Sequence, residues 1–365
     1  MTSVASVLHR RFTWHIVLGL SLLTIGCGKE PHYPAPPRLA LDSLAATVRF
    51  GILEGGADPR VVSQVRHAVL SESGRVLAVG DRDPPFLRLL DRETGKVIAF
   101  GEEGDGPGEL AAAGSLSLVG DSVLLVHSHR GRIDAYSRSG EWLRGINVKA
   151  AGLLDVSSFT RACGDRWFVV GVDAEYRNQD TVAVLYEVDR ANGPAVRPRG
   201  WVQRPMARIP YVRGFDESAG DIIVWLDWLD HEAGLQVPCA GGPTKTWSAV
   251  DHGPDEGERS VRLGGGVHGA AVTLSDTFVA AVAANDRGIY RATWPWARAD
   301  DSDATKLRVF LNGSCMALEL IGEWDLHDVT EDEVVLSRRD PFPQVWVMPL
   351  HELERHMVPA SCDGL

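Results

Sequence analysis

The chain has 365 residues, of which 44% are hydrophobic, 24% charged and 7% aromatic, a composition that excludes disordered, collagen-like and multi-span membrane chains. Lysine and arginine number 37 against 49 acids, a formal net charge of −12. That sign lacks the basic face that non-specific nucleic-acid binding needs, so no nucleic-acid partner is expected.

At the N-terminus, Arg10 and Arg11 precede an apolar run from Trp14 to Ile25, followed by Gly26 and Cys27. A positive start, a short apolar stretch and a small residue read as an export signal over residues 1–26; the run is too short to span a bilayer. Leu23-Thr24-Ile25-Gly26-Cys27 resembles a bacterial lipobox, with Thr24 standing where Leu is commonest. The resemblance implies that Cys27 becomes the acylated first residue of the mature chain. It also implies that the membrane is a partner through that anchor, and that the protein sits in the bacterial cell envelope, at the outer membrane or periplasmic face. Residues 27–43 contain Pro31, Pro34, Pro36 and Pro37 and read as an extended tether.

Residues 44–365 read as a repeat. Val76–Val79, Arg88–Asp91 and Val97–Phe100 recur in pattern as Val123–Val126, Arg132–Tyr136 and Trp142–Arg144. The turns between them are polar and carry Gly95 or Gly140, which suits hairpins. A tight turn ahead of a β-branched, aromatic or aliphatic run recurs at Ser73-Gly74, Gly120-Asp121, Gly164-Asp165, Gly220-Asp221, Ser275-Asp276 and Glu331-Asp332, at intervals of 44 to 56 residues. That period suits a four-stranded propeller blade, and six turns predict six blades. No long stretch of 3.6-residue periodicity intervenes, which argues against a parallel α/β sheet. The expected fold is all-β, a six-bladed β-propeller of four-stranded antiparallel blades. The last unit shows strands near Val334–Leu336 and Gln344–Val347 but no outer strand, whereas Thr47–Leu53 has strand character and no partner. This N-terminal segment is predicted to close the last blade.

The run Phe100-Gly101-Glu102-Glu103-Gly104-Asp105-Gly106-Pro107-Gly108-Glu109-Leu110 resembles the glycine-rich connection of bacterial six-bladed propeller lipoproteins, which are similar to NHL-repeat propellers. The match covers the first two blades and the lipobox and weakens beyond Gly145. It implies a fold and an address more than an activity. The glycines are not expected to cradle phosphate, because Glu102, Glu103, Asp105 and Glu109 would repel it. They read as a turn between blades.

Cys163, Cys239, Cys315 and Cys362 remain beyond the lipid site. Free thiols and a disulfide are both open, and the 76-residue spacing of the first three carries no assignment. Their spacing fits no CxxC zinc site. His67, His268 and His327 stand shortly before their turns, in the presumed innermost strands of blades one, five and six. Innermost strands line a propeller's channel, so these rings are candidates to converge there, where imidazoles suit a metal or acid–base work. Arg213 and Asp216 are further channel candidates. His127 and His129 read as part of a solvated connection. Trp294-Pro295-Trp296 is a candidate contact at the rim, beside the acidic insertion Asp300–Asp303. HExxH, GxSxG and EF-hand motifs are absent from the sequence, so no catalytic residue, metal or cofactor is assigned. The reading is a membrane-anchored binding module for a protein, peptide or carbohydrate. The competing reading is a hydrolase or lyase, metal-assisted or not, in the central channel.

Overall fold

Antiparallel meanders of four strands follow one another around a ring. The computed structural model describes residues 33–52, 58–128, 131–173, 181–189, 195–203, 211–218, 220–228, 231–249, 260–261, 272–273, 277–295, 304–311, 314–339 and 341–360. All but Tyr33 belong to the unit Pro34–Leu365. Blade one comprises Val65–Leu70, Val76–Asp81, Leu87–Asp91 and Val97–Phe100. Blade two comprises Ala113–Val119, Val123–Ser128, Arg132–Ser137 and Trp142–Asn147. Leu153–Ala162, Arg166–Asp173, Thr181–Asp189 and Ala195–Gln203 form blade three; Tyr211–Ser218, Asp221–Trp228, His231–Pro238 and Lys245–Ala249 form blade four. Blade five is Thr277–Asn285, Gly288–Pro295, Ala304–Leu311 and Ser314–Ile321. Blade six takes Trp324–Val329, Glu333–Arg338 and Gln344–Pro349 from the C-terminal end of the chain.

Its fourth strand is Val48–Phe50, antiparallel to Gln344–Pro349 with Val48 opposite Val347 and Phe50 opposite Val345. The N-terminal segment therefore closes the ring. Arg92 of blade one makes two hydrogen bonds to the Glu333 carboxylate of blade six, 2.6 and 2.7 Å, and a third to Thr47 Oγ1 at 3.0 Å. The first blade, the last blade and the closing strand meet in that cluster.

The apolar core lies between blades, because each sheet buries both faces. The middle strand Val76–Asp81 is buried at every position. Separate clusters fill the seams: Leu89 and Tyr136 between blades one and two, Leu125 and Phe159 between two and three, Phe168 and Val224 between three and four. Trp225 meets Val282 between blades four and five, Tyr290 joins Trp346 between five and six, and Val347 joins Val79 between six and one. Every neighbouring pair is thus packed. At Gly214 the approach of blade four to blade five is so close that a Cβ would lie 2.2 Å from Val282 O.

Two further segments lie on blade five. Arg38–Leu39 runs parallel to Ser314–Ile321, and Val358–Pro359 pairs antiparallel with the same strand. Leu41 and Leu44 are buried in the adjoining core. The stretch expected to be tether as far as Ser43 is therefore docked from Pro37 onward, where Pro37 O accepts the Glu319 N–H. Proline-rich composition concealed the buried Leu41 within that stretch.

The glycine-rich loop is a connection between blades one and two. Its Gly106 N–H donates to Glu109 Oε2 at 2.7 Å, and Arg132 donates to the carbonyls of Gly106 and Glu109. Gly108 has a positive φ of 80°, and a Cβ there would lie 2.9 Å from Trp142 Cβ. The loop's own carboxylate thus takes one of the N–H groups a phosphate would need. Cys163 and Cys239 form a disulfide between blades three and four, which gives the first 76-residue spacing a meaning. Cys315 is disulfide-bonded as well. His127 is fully buried in blade two rather than solvated, whereas His129 and Cys362 lie outside the described residues.

Candidate functional site

The innermost strands of the six blades surround a central cavity of about 880 Å³. Each of these strands carries a β-bulge, seen as a register shift at Val65/His67, Ala113/Leu116, Val156/Ser158, Val212/Gly214, Val279/Ala281 and Leu326/Asp328. A bulge leaves one residue unpaired in the ladder and re-aims the side chains around it. His327 and Arg213 are the inserted residues of blades six and four, and Arg66 is that of blade one.

His67, Asp216 and His327 line this cavity together. The rings of His67 and His327 meet edge to face with centroids 6.1 Å apart. His327 Nε2 lies 2.7 Å from Ser337 Oγ, a buried hydroxyl behind it. His67 Nδ1 is buried and has no hydrogen-bond partner. Burial pushes the His67 pKa down to about 4. The His327 pKa falls to about 3, first through burial and then through the charge of His67. Both rings are therefore neutral at neutral pH. Arg213 lies in the innermost strand of blade four. His268 and Trp296 lie outside the described residues, as do Cys27 and Asp300–Asp303. The innermost strand of blade five is Thr277–Asn285, which begins after His268, so that histidine is not in the strand expected to carry it. Trp294 lies in the second strand of blade five, opposite Phe278.

Asp328 also lines the cavity and was missed in the sequence. It is the register equivalent of Asp216. Asp216 sits opposite Ile223 and Asp328 opposite Val335, each the third residue of the second strand. Each carboxyl accepts a backbone N–H from the following blade: Asp216 from Ala284 at 3.0 Å, Asp328 from Leu70 at 2.8 Å. The signal was available, because each aspartate stands five residues before the strand that begins at Asp221 or Glu333.

Burial and then the negative charge of Asp328 raise the Asp216 pKa well above the usual carboxylate range. Burial raises that of Asp328, against the pull of the Leu70 and Val329 N–H groups. Two carboxyls facing one low-dielectric space cannot both ionise cheaply, so the proton-bearing form persists toward neutral pH. The wall thus presents neutral imidazoles and carboxyls able to donate as well as accept.

Among the described residues, Cys163, Glu217 and Cys239 are the group that brings three ligand-type atoms within 4.8 Å of one another. The two sulfurs are bonded to each other, so neither is a free thiolate ligand. The histidine pair is not part of such a cluster.

No family model matches the chain, and no curated protein matches it. Solved structures do. A Bacteroides fragilis protein described as exported aligns with a TM-score of 0.51 at 10% identity, over 86% of this chain and 98% of that one. The extracellular domain of a one-component system from B. thetaiotaomicron aligns with a TM-score of 0.47 at 11% identity, over 80% of this chain and 34% of that one. Regucalcin, a calcium-binding protein from Agrobacterium tumefaciens, aligns with a TM-score of 0.48 at 10% identity, over 84% of this chain and 95% of that one. At 10% identity the likeness to the Bacteroides fragilis protein is one of fold alone.

Proposed function

We propose that the protein is a lipid-anchored binding module of the bacterial envelope that holds a protein, peptide or carbohydrate in and over its central channel. The observation that carries this reading is the cavity of about 880 Å³, lined by all six innermost strands and polar along much of its wall. That volume falls within the range of about 300–1,000 Å³ typical of small-ligand sites. The lipobox-like sequence ending at Cys27 supports the address, and the exported Bacteroides protein of the same fold agrees with it.

A channel plug tests the reading. Ser117 lines the cavity from blade two, and Ser117→Trp fills that space with an indole. The mature chain, screened on arrays of envelope glycans and of peptides, is expected to retain ligands that the plugged variant loses by at least about tenfold in affinity. The melting temperature should change little, because the position faces a void. Equal capture by both proteins would place binding elsewhere. A hydrolase or lyase is the second reading, favoured by the two neutral imidazoles at the cavity wall. Recovery of the ligand chemically unchanged supports binding; its conversion supports the enzyme.

The anchor has its own test. Cys27→Ser is expected to abolish incorporation of labelled palmitate and to leave the protein uncleaved or in the soluble fraction. Equal labelling of wild type and variant would show that Cys27 is not the lipid site.

A further inference from the structure

We propose that the ligand of the channel presents an organic cation, a primary ammonium or a guanidinium group, to Asp216 and Asp328. The inference rests on the binding reading above and names the chemistry of its ligand. Asp216 and Asp328 face one cavity, and the hydrogen bonds they accept come from backbone N–H groups. Among the side chains that are described, no lysine or arginine pairs with either; the Arg213 side chain is not among them. Half-buried carboxyls facing an enclosed cavity are costly when ionised without a counter-charge, so a cation that entered would be favoured. His67 lines the same wall, and its buried Nδ1 has no hydrogen-bond partner.

The charges around the pair point the same way. Innermost strands end at the face bearing Glu72, Glu217, Asp286, Glu331 and Asp332, all on the cavity wall. Among the described side chains, Arg161 on the cavity wall at that end is engaged by Glu72 at 2.8 Å and Asp165 at 3.6 Å, and Arg287 beside Asp286 is paired with Glu354 at 2.5 Å. Where the strands begin, Arg339 faces Asp325 at 4.0 Å, and Arg66 is exposed. The mouth at the strand ends is thus an acidic funnel, which concentrates cations and repels anions. His67 and His327 are neutral and do not oppose a positive charge.

The geometry favours an organic cation over a metal ion. The one described cluster with three ligand-type atoms within 4.8 Å does not include the aspartate pair or the histidines. A cavity of about 880 Å³ has room for a polyatomic ligand. Binding shifts the aspartate pair toward its ionised form, so protons are released and apparent affinity rises with pH.

Calorimetry with spermidine and with agmatine, at about pH 6 and about pH 8.5, tests this. One of the two probes is expected to bind at least about tenfold more tightly at the higher pH, with proton release that scales with buffer ionisation enthalpy. The Asp216→Asn, Asp328→Asn double variant should lose that binding and the proton release. Asparagine keeps an acceptor oxygen for the Ala284 and Leu70 N–H groups, and a thermal melt at about pH 5 checks that the variant is folded. Failure of both probes at the higher pH would overturn the proposal, as would equal binding by the double variant. Calcium bound more tightly than either probe, and lost in the same variant, would overturn it in favour of a metal site. A neutral sugar held in the cavity regardless of the asparagines would also overturn it, while leaving the binding-module reading intact.

Discussion

A chain that begins at Asp58 instead of Cys27 is expected to be insoluble or severely destabilised, whereas one that begins at Pro37 melts like the full mature protein. The first truncation removes Val48–Phe50 and leaves Gln344–Pro349 as a bare edge. It also removes the parallel strand Arg38–Leu39 from blade five. Leu41, Leu44 and Phe50 are each at most 7% exposed, and full burial of such a side chain is worth about 1.5–3 kcal/mol. Losing all three approaches the whole stability of an ordinary domain, about 5–15 kcal/mol. Val345 and Val347 of the neighbouring strand would be uncovered, and an apolar open edge is a template for aggregation. The second truncation removes only the proline-rich stretch before the docked segment. Solubility and thermal melts of the two exported chains decide the matter. If both behave alike, the closing strand does not hold the ring.

Replacing Cys163 and Cys239 together with serine should be the next most damaging change. The bond closes a sequence separation of 76 residues and ties blade three to blade four. Loop-closure entropy assigns a disulfide of that span about 4.5 kcal/mol, an upper figure for the loss. Blades three and four still share Phe168, Leu185, Val224 and Leu235, so the ring is expected to fold and to melt earlier rather than to collapse. The comparison is a non-reducing melt of wild type against the double variant. Equal midpoints would mean that the bond adds nothing to the packed seam.

How much of this was legible in the sequence depends on chain length per feature. Six turns ahead of apolar runs are strong signals because each recurs over a whole blade; five of them stand before the second strand of their blade, whereas Ser275-Asp276 stands before the innermost strand of blade five, Thr277–Asn285. The unpartnered Thr47–Leu53 run was readable because its missing partner was equally visible at the other end of the chain. Arg38–Leu39 and Val358–Pro359 were not readable, since two-residue strands show no alternation. Nor were the bulges of the innermost strands, because one or two extra residues per strand leave the hydrophobic pattern almost unchanged. Of the five residues placed in the channel from strand order, His67, Asp216 and His327 line one cavity, Arg213 lies in an innermost strand, and His268 precedes the strand it was assigned to. Asp328 stood beside His327 unnoticed, because its role appears only when blades four and six are superposed in register. The disulfide required knowing that Cys163 and Cys239 both follow strands that end at the same face of adjacent blades.

Central to this account is a ring built around an ionisable channel, with a carboxyl pair that keeps a proton where ordinary aspartates do not. A carboxyl whose folded pKa is raised contributes most to stability at low pH, and that contribution is lost as pH rises from about 4 through the raised value. The direct measurement is a carbon-13 NMR titration of the aspartate side-chain carboxyls, with Asp216→Asn and Asp328→Asn used for assignment. The account predicts that at least one of the two titrates well above the usual carboxylate range, and that replacing its partner by asparagine lowers it. Both carboxyls titrating near 4 in the folded protein, each indifferent to the loss of the other, would contradict it.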